Sequence, residues 1–138
     1  FIRRRTAKDA HGEYSIMITA LDNFVLLCTE IEAATRDNET ILGAAPAWCA
    51  DREGVATAVF NVGNTAIELM APSGDGAVAD KLHLMTADGP VLTTLVYRSD
   101  DIAGDHHLIK RRGLGPSDID EGGSTDTRTD ATRSWTSF

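Results

Sequence analysis

Cysteine is scarce in this chain, positive charge is outnumbered, and no long apolar run interrupts it. The two cysteines, Cys28 and Cys49, have no metal-binding spacing and build no disulfide framework. They read as buried free thiols, which behave as small hydrophobes. With no recognisable secretory leader, they point to a cytoplasmic protein. No apolar stretch approaches the roughly 20 residues of a membrane span, so no membrane partner is expected. Net charge is −8 at pH 7, which disfavours nucleic acid and anionic bilayers as partners.

What is present is an ordinary globular complement. Hydrophobic residues are 42% and charged residues 25% of 138. A chain of that length buries about two-thirds of its unfolded surface without a disulfide or structural metal. "FIRRRTAKDAHGEYSI" shows no periodicity, and its Arg3, Arg4 and Arg5 read as a solvated tail rather than an anion site. Regular patterning begins at Met17, which reads as an ancestral start with residues 1–16 as an N-terminal extension.

From there the punctuation is legible. "ITALDNFVLLC" predicts a strand over 18–28. A helix follows, with Thr29 as N-cap, Glu32 three residues on, and Gly43 as its stop. "APAWCAD" and "VATAVFNV" read as strands, and Gly63-Asn64 as a tight hairpin turn into "TAIELMA". "AVADKLHLMT" reads as a helix, "PVLTTLVYR" as a strand and "SDDIAGDHHLIKRRG" as a helix. "LGPSDIDEG" is extended, "GSTDTRTD" a polar, mobile connection, and "ATRSWTSF" a last strand.

Two features stand out. The first is Glu68: alternation in "TAIELMA" sets it on one face with Ala66 and Met70, which is not an ordinary polar face. The second is an internal repeat. In "LDNFVLLCTEIEAA" and in "LTTLVYRSDDIAG" an apolar strand ends in an acidic residue, and a helix then starts near Ile31 or Ile102 and closes at Gly43 or Gly113. The division is an extension (1–16), a first βαβββ module (17–74), a linker helix (75–90) and a second, incomplete module (91–138).

This doublet, with "EGVATAVFNVGNTAIELMAPSGDG", resembles the vicinal oxygen chelate superfamily, the glyoxalase/bleomycin-resistance/dioxygenase fold, over residues 17–138. It looks most like the glyoxalase-like and methylmalonyl-CoA epimerase-like members. The resemblance implies an α+β fold of paired βαβββ modules forming a concave mixed sheet, here without the last strand of the second module. It also implies a floor where a divalent metal is bound by one residue on the first and one on the fourth strand of each module. The family's first-strand His falls on Asn23, its fourth-strand Glu on Glu68, and the second module's His on Thr94. Thr94 lies eight residues before Ile102, as Asn23 lies before Ile31. The remaining Glu would lie on the strand this sequence does not contain.

Asn23 and Thr94 are weak ligands for a transition metal. The expectation is therefore a small-molecule-binding protein with a degenerate metal site, its cavity floor formed by Asn23, Glu68 and Thr94, and no cofactor. The alternative is a divalent-metal lyase or epimerase acting on a thioester or 2-oxo substrate, with Mg, Mn, Zn or Ni on Glu68. A desolvated Glu68 has a raised pKa and is placed to act as a lone general base; a purely structural role is the competing reading. No catalytic base is assigned to Asp51, Arg52 or Glu53. The resemblance implies a homodimer, and the sheet edge left by the missing strand is a further reason to expect one.

The remaining residue types have plainer readings. His106 and His107 point about 100° apart on a helix and, like His83, read as solvated. Lys110, Arg111 and Arg112 complement a helix C-terminus. Trp48, Trp135, Phe24 and Phe60 read as core packing or as apolar pocket walls.

Overall fold

Alternation decides which layer each strand residue joins, and a computed structural model describes the outcome for residues 18–138. The expectations for 1–16 and Met17 lie outside the described residues. The elements run β1 (Ile18–Leu27), α1 (Ile31–Leu42), β2 (Trp48–Arg52), β3 (Val55–Val62), β4 (Thr65–Pro72), α2 (Ala77–Met85), β5 (Val91–Ser99), α3 (Ile102–Arg111), β6 (Asp120–Thr125) and β7 (Thr132–Ser137). The fold is α+β. Five strands form a mixed sheet in the order β2-β3-β4-β1-β5, and β6-β7 form a separate two-stranded sheet.

β1 is the hinge of this arrangement, parallel to β4 and antiparallel to β5. On the outer face Cys28, Ala58, Phe60, Leu69 and Ala71 make a buried cluster, against which α1 lays Ile31, Ala34 and Leu42. On the opposite face Val25, Leu27, Val55, Met70 and Val96 meet Leu82 of α2. Each helix thus covers one side of the sheet, as the period of two in β1, β3 and β4 requires. Among the described residues no helix is long and apolar enough to cross a membrane.

Gly43 ends α1 as expected, in the left-handed region at φ 65, its N–H donating to Glu39 O at 2.8 Å. The start differs. The N-cap is Glu30, not Thr29, and no side chain caps the helix. A better cap serves α3, where Asp101 accepts from the Gly104 N–H at 3.1 Å.

Two further expectations change. The second module joins the five-stranded sheet through β5 alone: among the described residues β5 pairs only with β1, and no strand bridges it to β7. And Gly123, Ser124 and Thr125, read as the start of a mobile connection, continue the extended segment as strand β6. Gly122 stands opposite Trp135, and a Cβ built on Gly122 would run into that indole. A glycine that weakens a strand by propensity is here the residue that lets an aromatic lie flat across it. The turn beyond is tied down as well. Asp126 accepts three hydrogen bonds from Arg128, two from the guanidinium at 3.0 and 3.2 Å and one from the backbone N–H at 2.9 Å, and these hold its carboxyl below the usual range.

The hairpin docks on β2, at the far edge of the five-stranded sheet from β5. Trp48 Nε1 donates to Ser124 Oγ at 3.0 Å, Arg52 Nη1 to Gly123 O at 3.0 Å and Arg128 Nη1 to Pro46 O at 2.8 Å. The Thr127 N–H closes on Cys49 O at 2.9 Å. Gly122→Ala is expected to lower stability by about 1–3 kcal/mol through overpacking, and to red-shift tryptophan emission as Trp135 is displaced. Thermal unfolding followed by fluorescence checks both.

Candidate functional site

The face of the sheet that carries Glu68 is only partly covered by α2. Beyond it lies a cavity of about 890 Å³ between β1, β4 and β5, with α3 and β7 completing its walls. That volume is within the range of small-molecule sites. A smaller groove of about 380 Å³ runs between β2 and the hairpin, and Arg133 lines both.

The floor follows from register. Ala66, Glu68 and Met70 all face the cavity, as alternation in "TAIELMA" requires. Glu68 stands beside Val25 on β1 and Val59 on β3, which places it two residues along from Asn23. Asn23 Nδ2 donates to Glu68 Oε2 at 2.8 Å. Thr94 lines the same cavity from β5, opposite Val25. The three positions singled out in the sequence therefore face one space, and two of them are hydrogen-bonded.

A residue that sequence reasoning passed over completes the group. Arg133 of β7 reaches back over the sheet, its Nη2 3.8 Å from Glu68 Oε1. Its guanidinium stacks over Trp48 at 4.8 Å and Trp135 at 5.4 Å, and its Nε donates to Ser124 Oγ at 3.1 Å. The tryptophans are thus neither plain core nor plain pocket wall; they flank a cation. The signal was there in "ATRSWTSF", where a period of two puts Arg133 and Trp135 on one strand face.

Burial pushes the Glu68 carboxyl above its ordinary value, and neither the Arg133 charge nor the Asn23 hydrogen bond restores it. Burial likewise pulls Arg133 down, with Glu68 opposing. A second pair behaves differently. Arg98 donates to Asp22 Oδ1 from Nε at 2.9 Å and from Nη2 at 2.5 Å. Burial raises the Asp22 pKa, but hydrogen bonds and cationic charge, Arg98's among them, bring it below its ordinary range.

The donor set does not fit a divalent metal. Asn23 turns its amide N–H toward Glu68, and a guanidinium faces the other carboxylate oxygen. A metal on Glu68 would sit beside that positive charge. Among the described residues no three His, Cys, Asp or Glu side chains gather in metal-binding geometry.

The other candidates lie elsewhere. His83 and His107 are exposed, while His106 Nε2 meets Ser117 O at 2.8 Å and its ring stands edge-on to Phe138. Asp51 accepts from Ser73 Oγ at 2.8 Å, and Arg52 pairs with Glu53. Lys110 and Arg111 occupy the last turn of α3, and Arg112 is its C-cap.

Solved structures superpose on this arrangement. Methylmalonyl-CoA epimerase from Mycobacterium tuberculosis matches with a TM-score of 0.61 at 18% identity, over 92% of this chain and 84% of its own. A hypothetical protein from Bacillus halodurans matches with a TM-score of 0.64 at 16% identity, over 85% of this chain and 92% of its own. The likeness is one of fold, a glyoxalase-like α+β frame. The same glyoxalase-like frame carries a Streptomyces coelicolor methylmalonyl-CoA epimerase in complex with 2-nitronate-propionyl-CoA, with a TM-score of 0.61 at 15% identity, over 82% of this chain and 88% of that one. No protein-family model and no curated protein matches the sequence.

Glu68 also has a stability consequence. A carboxyl whose folded pKa is raised stabilises the fold below its unfolded pKa, and that contribution is lost as pH rises through the folded value. The Tm difference between Glu68→Gln and wild type should therefore move in favour of the variant from pH 4 to pH 8. A constant difference across that range, in parallel thermal melts, would contradict a raised Glu68.

Proposed function

We propose that this protein binds a small organic molecule in the cavity over Glu68, as a glyoxalase-fold binder whose metal site is degenerate. The observation that carries this reading is the pairing of Glu68 with Asn23 and Arg133 on the floor of a cavity of about 890 Å³. Asn23 donates to one carboxylate oxygen and the Arg133 charge faces the other, where the resembling families place a metal. Apolar walls from Val59, Met70 and Val96 supply contact area, and Asn23, Glu68 and Thr94 supply orientation. The free thiols Cys28 and Cys49, both pushed up by burial, support action in a reducing compartment.

The second reading is a divalent-metal lyase or epimerase acting on a thioester or 2-oxo substrate. It is favoured by the fold neighbours that are methylmalonyl-CoA epimerases. Calorimetric titration of chelator-treated protein with Mg²⁺, Mn²⁺, Zn²⁺ and Ni²⁺ separates the two. The binding reading expects no micromolar affinity; micromolar binding that vanishes in Glu68→Ala would overturn it. A compound found by thermal shift should bind roughly tenfold more weakly to Asn23→Ala, the loss of one buried hydrogen bond.

The binder is proposed to work as a homodimer. Support comes from β5, which pairs on one side only among the described residues and exposes Leu92, Leu95 and Tyr97. Sedimentation at micromolar concentration should give twice the chain mass, falling to one chain mass in a Leu92→Lys/Leu95→Lys double variant.

A further inference from the structure

Two arginines face the cavity, and they are in different circumstances. Arg98 already gives two N–H groups to Asp22. Arg133 gives one to the neutral Ser124 hydroxyl, and its approach to Glu68, at 3.8 Å, is longer than a hydrogen bond. Asn23 holds Glu68 by the other carboxylate oxygen, so Glu68 faces the guanidinium without hydrogen-bonding to it. Arg133 is thus positioned by a hydroxyl and two indole faces while its fork is without a bidentate partner.

We propose that the ligand of this cavity carries a carboxylate, received by the Arg133 guanidinium between Trp48 and Trp135, with an apolar body lying over Val59, Met70 and Val96. This rests on the small-molecule reading above and names the ligand class. A planar guanidinium matches a carboxylate through two parallel hydrogen bonds. A phosphate ester, with its second charge, would call for a second cation, and Arg98 is engaged by Asp22.

Glu68 follows from the same geometry. A second carboxylate arriving at Arg133 meets Glu68 close by, and like charges in a buried site drive one of them to bind a proton. The charged groups around this end of the cavity are Arg133 from β7, Asp22 from β1, Arg98 from β5 and Asp105 from α3, where Asp105 accepts from Ser99 Oγ at 2.7 Å. None but Glu68 lies within 4 Å of Arg133 as a carboxylate partner among the described residues. Ligand binding is therefore coupled to protonation of Glu68, which as a neutral acid can donate a hydrogen bond to the ligand's carboxylate.

The chain has two tryptophans, and both flank Arg133, so intrinsic fluorescence reports on this site alone. Emission excited at the indole edge is titrated with hexanoate and octanoate, with hexan-1-ol and octan-1-ol as uncharged matches, and with inorganic phosphate. The carboxylates should give a saturable change at least about tenfold tighter than their alcohols, tightening further as pH is lowered from 8 to 6. Arg133→Gln should lose the preference for carboxylate over alcohol, and Arg133→Lys should keep part of it.

Alcohols binding as tightly as carboxylates would overturn the proposal and leave the cavity reading standing. Phosphate binding more tightly than hexanoate would overturn the choice of carboxylate. No saturable change with any of the five compounds would count against both readings. The acid and alcohol titrations and their pH dependence use the wild-type protein, so they decide the question even if Arg133→Gln fails to fold.

Discussion

Because β1 lies between β4 and β5, hydrogen-bonded to both, its register sets the identity of every residue that looks into the cavity. A slip of one residue against β4 would bring Phe24 to the face now held by Asn23 and leave Glu68 without its amide partner. Such a slip is opposed by the outer cluster of Phe60, Leu69 and Cys28, where the same displacement would turn buried apolar groups outward. The energy that holds the polar floor in place is therefore mostly apolar, and it acts from the opposite side of the sheet. That division of labour lets a half-desolvated carboxylate exist in a small domain: the site's cost is met by packing that the ligand never touches.

Much of this was legible because β1, β3 and β4 obey a strict period of two. Alternation alone set Glu68 on one face with Ala66 and Met70, and glycine turn chemistry gave Gly63-Asn64 as a hairpin turn and Gly43 as a helix end. The resemblance then placed Asn23 and Thr94 around the same space. What the sequence concealed is long-range. Nothing local in "DEGGST" signals a strand, since glycine and aspartate are poor strand formers; its pairing depends on Trp135, which needs a partner with no side chain. Thr29 looked like a helix cap because its residue type is right, but tertiary placement put Glu30 there instead. Arg133 was missed for a related reason. A strand-borne arginine near the end of a chain normally points to water, and only the docking of the hairpin on β2 turns it inward.

The stack of Trp48, Arg133 and Trp135 joins parts of the chain that otherwise share little. Trp48 belongs to the outer strand β2 of the sheet, whereas Arg133 and Trp135 belong to the separate hairpin. Cation–π contact favours their approach, and the hydroxyl of Ser124 serves both Trp48 Nε1 and Arg133 Nε. One small polar residue thus positions the cation and one of its aromatic neighbours together. The same cation faces Glu68 across the cavity floor, so the stack also carries positive charge to the carboxylate.

The docking of the hairpin on β2 also bears on the order in which the molecule comes together. β3 and β4 are joined by a two-residue turn and can pair early, whereas the bonds that anchor the hairpin span 71 to 82 residues of chain. Contacts that close such large loops are entropically the most expensive to form. The five-stranded sheet can thus assemble before the wall that carries Arg133 arrives, and local opening in the native protein will release that wall first. Chains weakened anywhere along the hairpin would keep their secondary structure and their Glu68–Asn23 floor while lacking a closed cavity, so for this protein a folded state and a competent state are not the same thing.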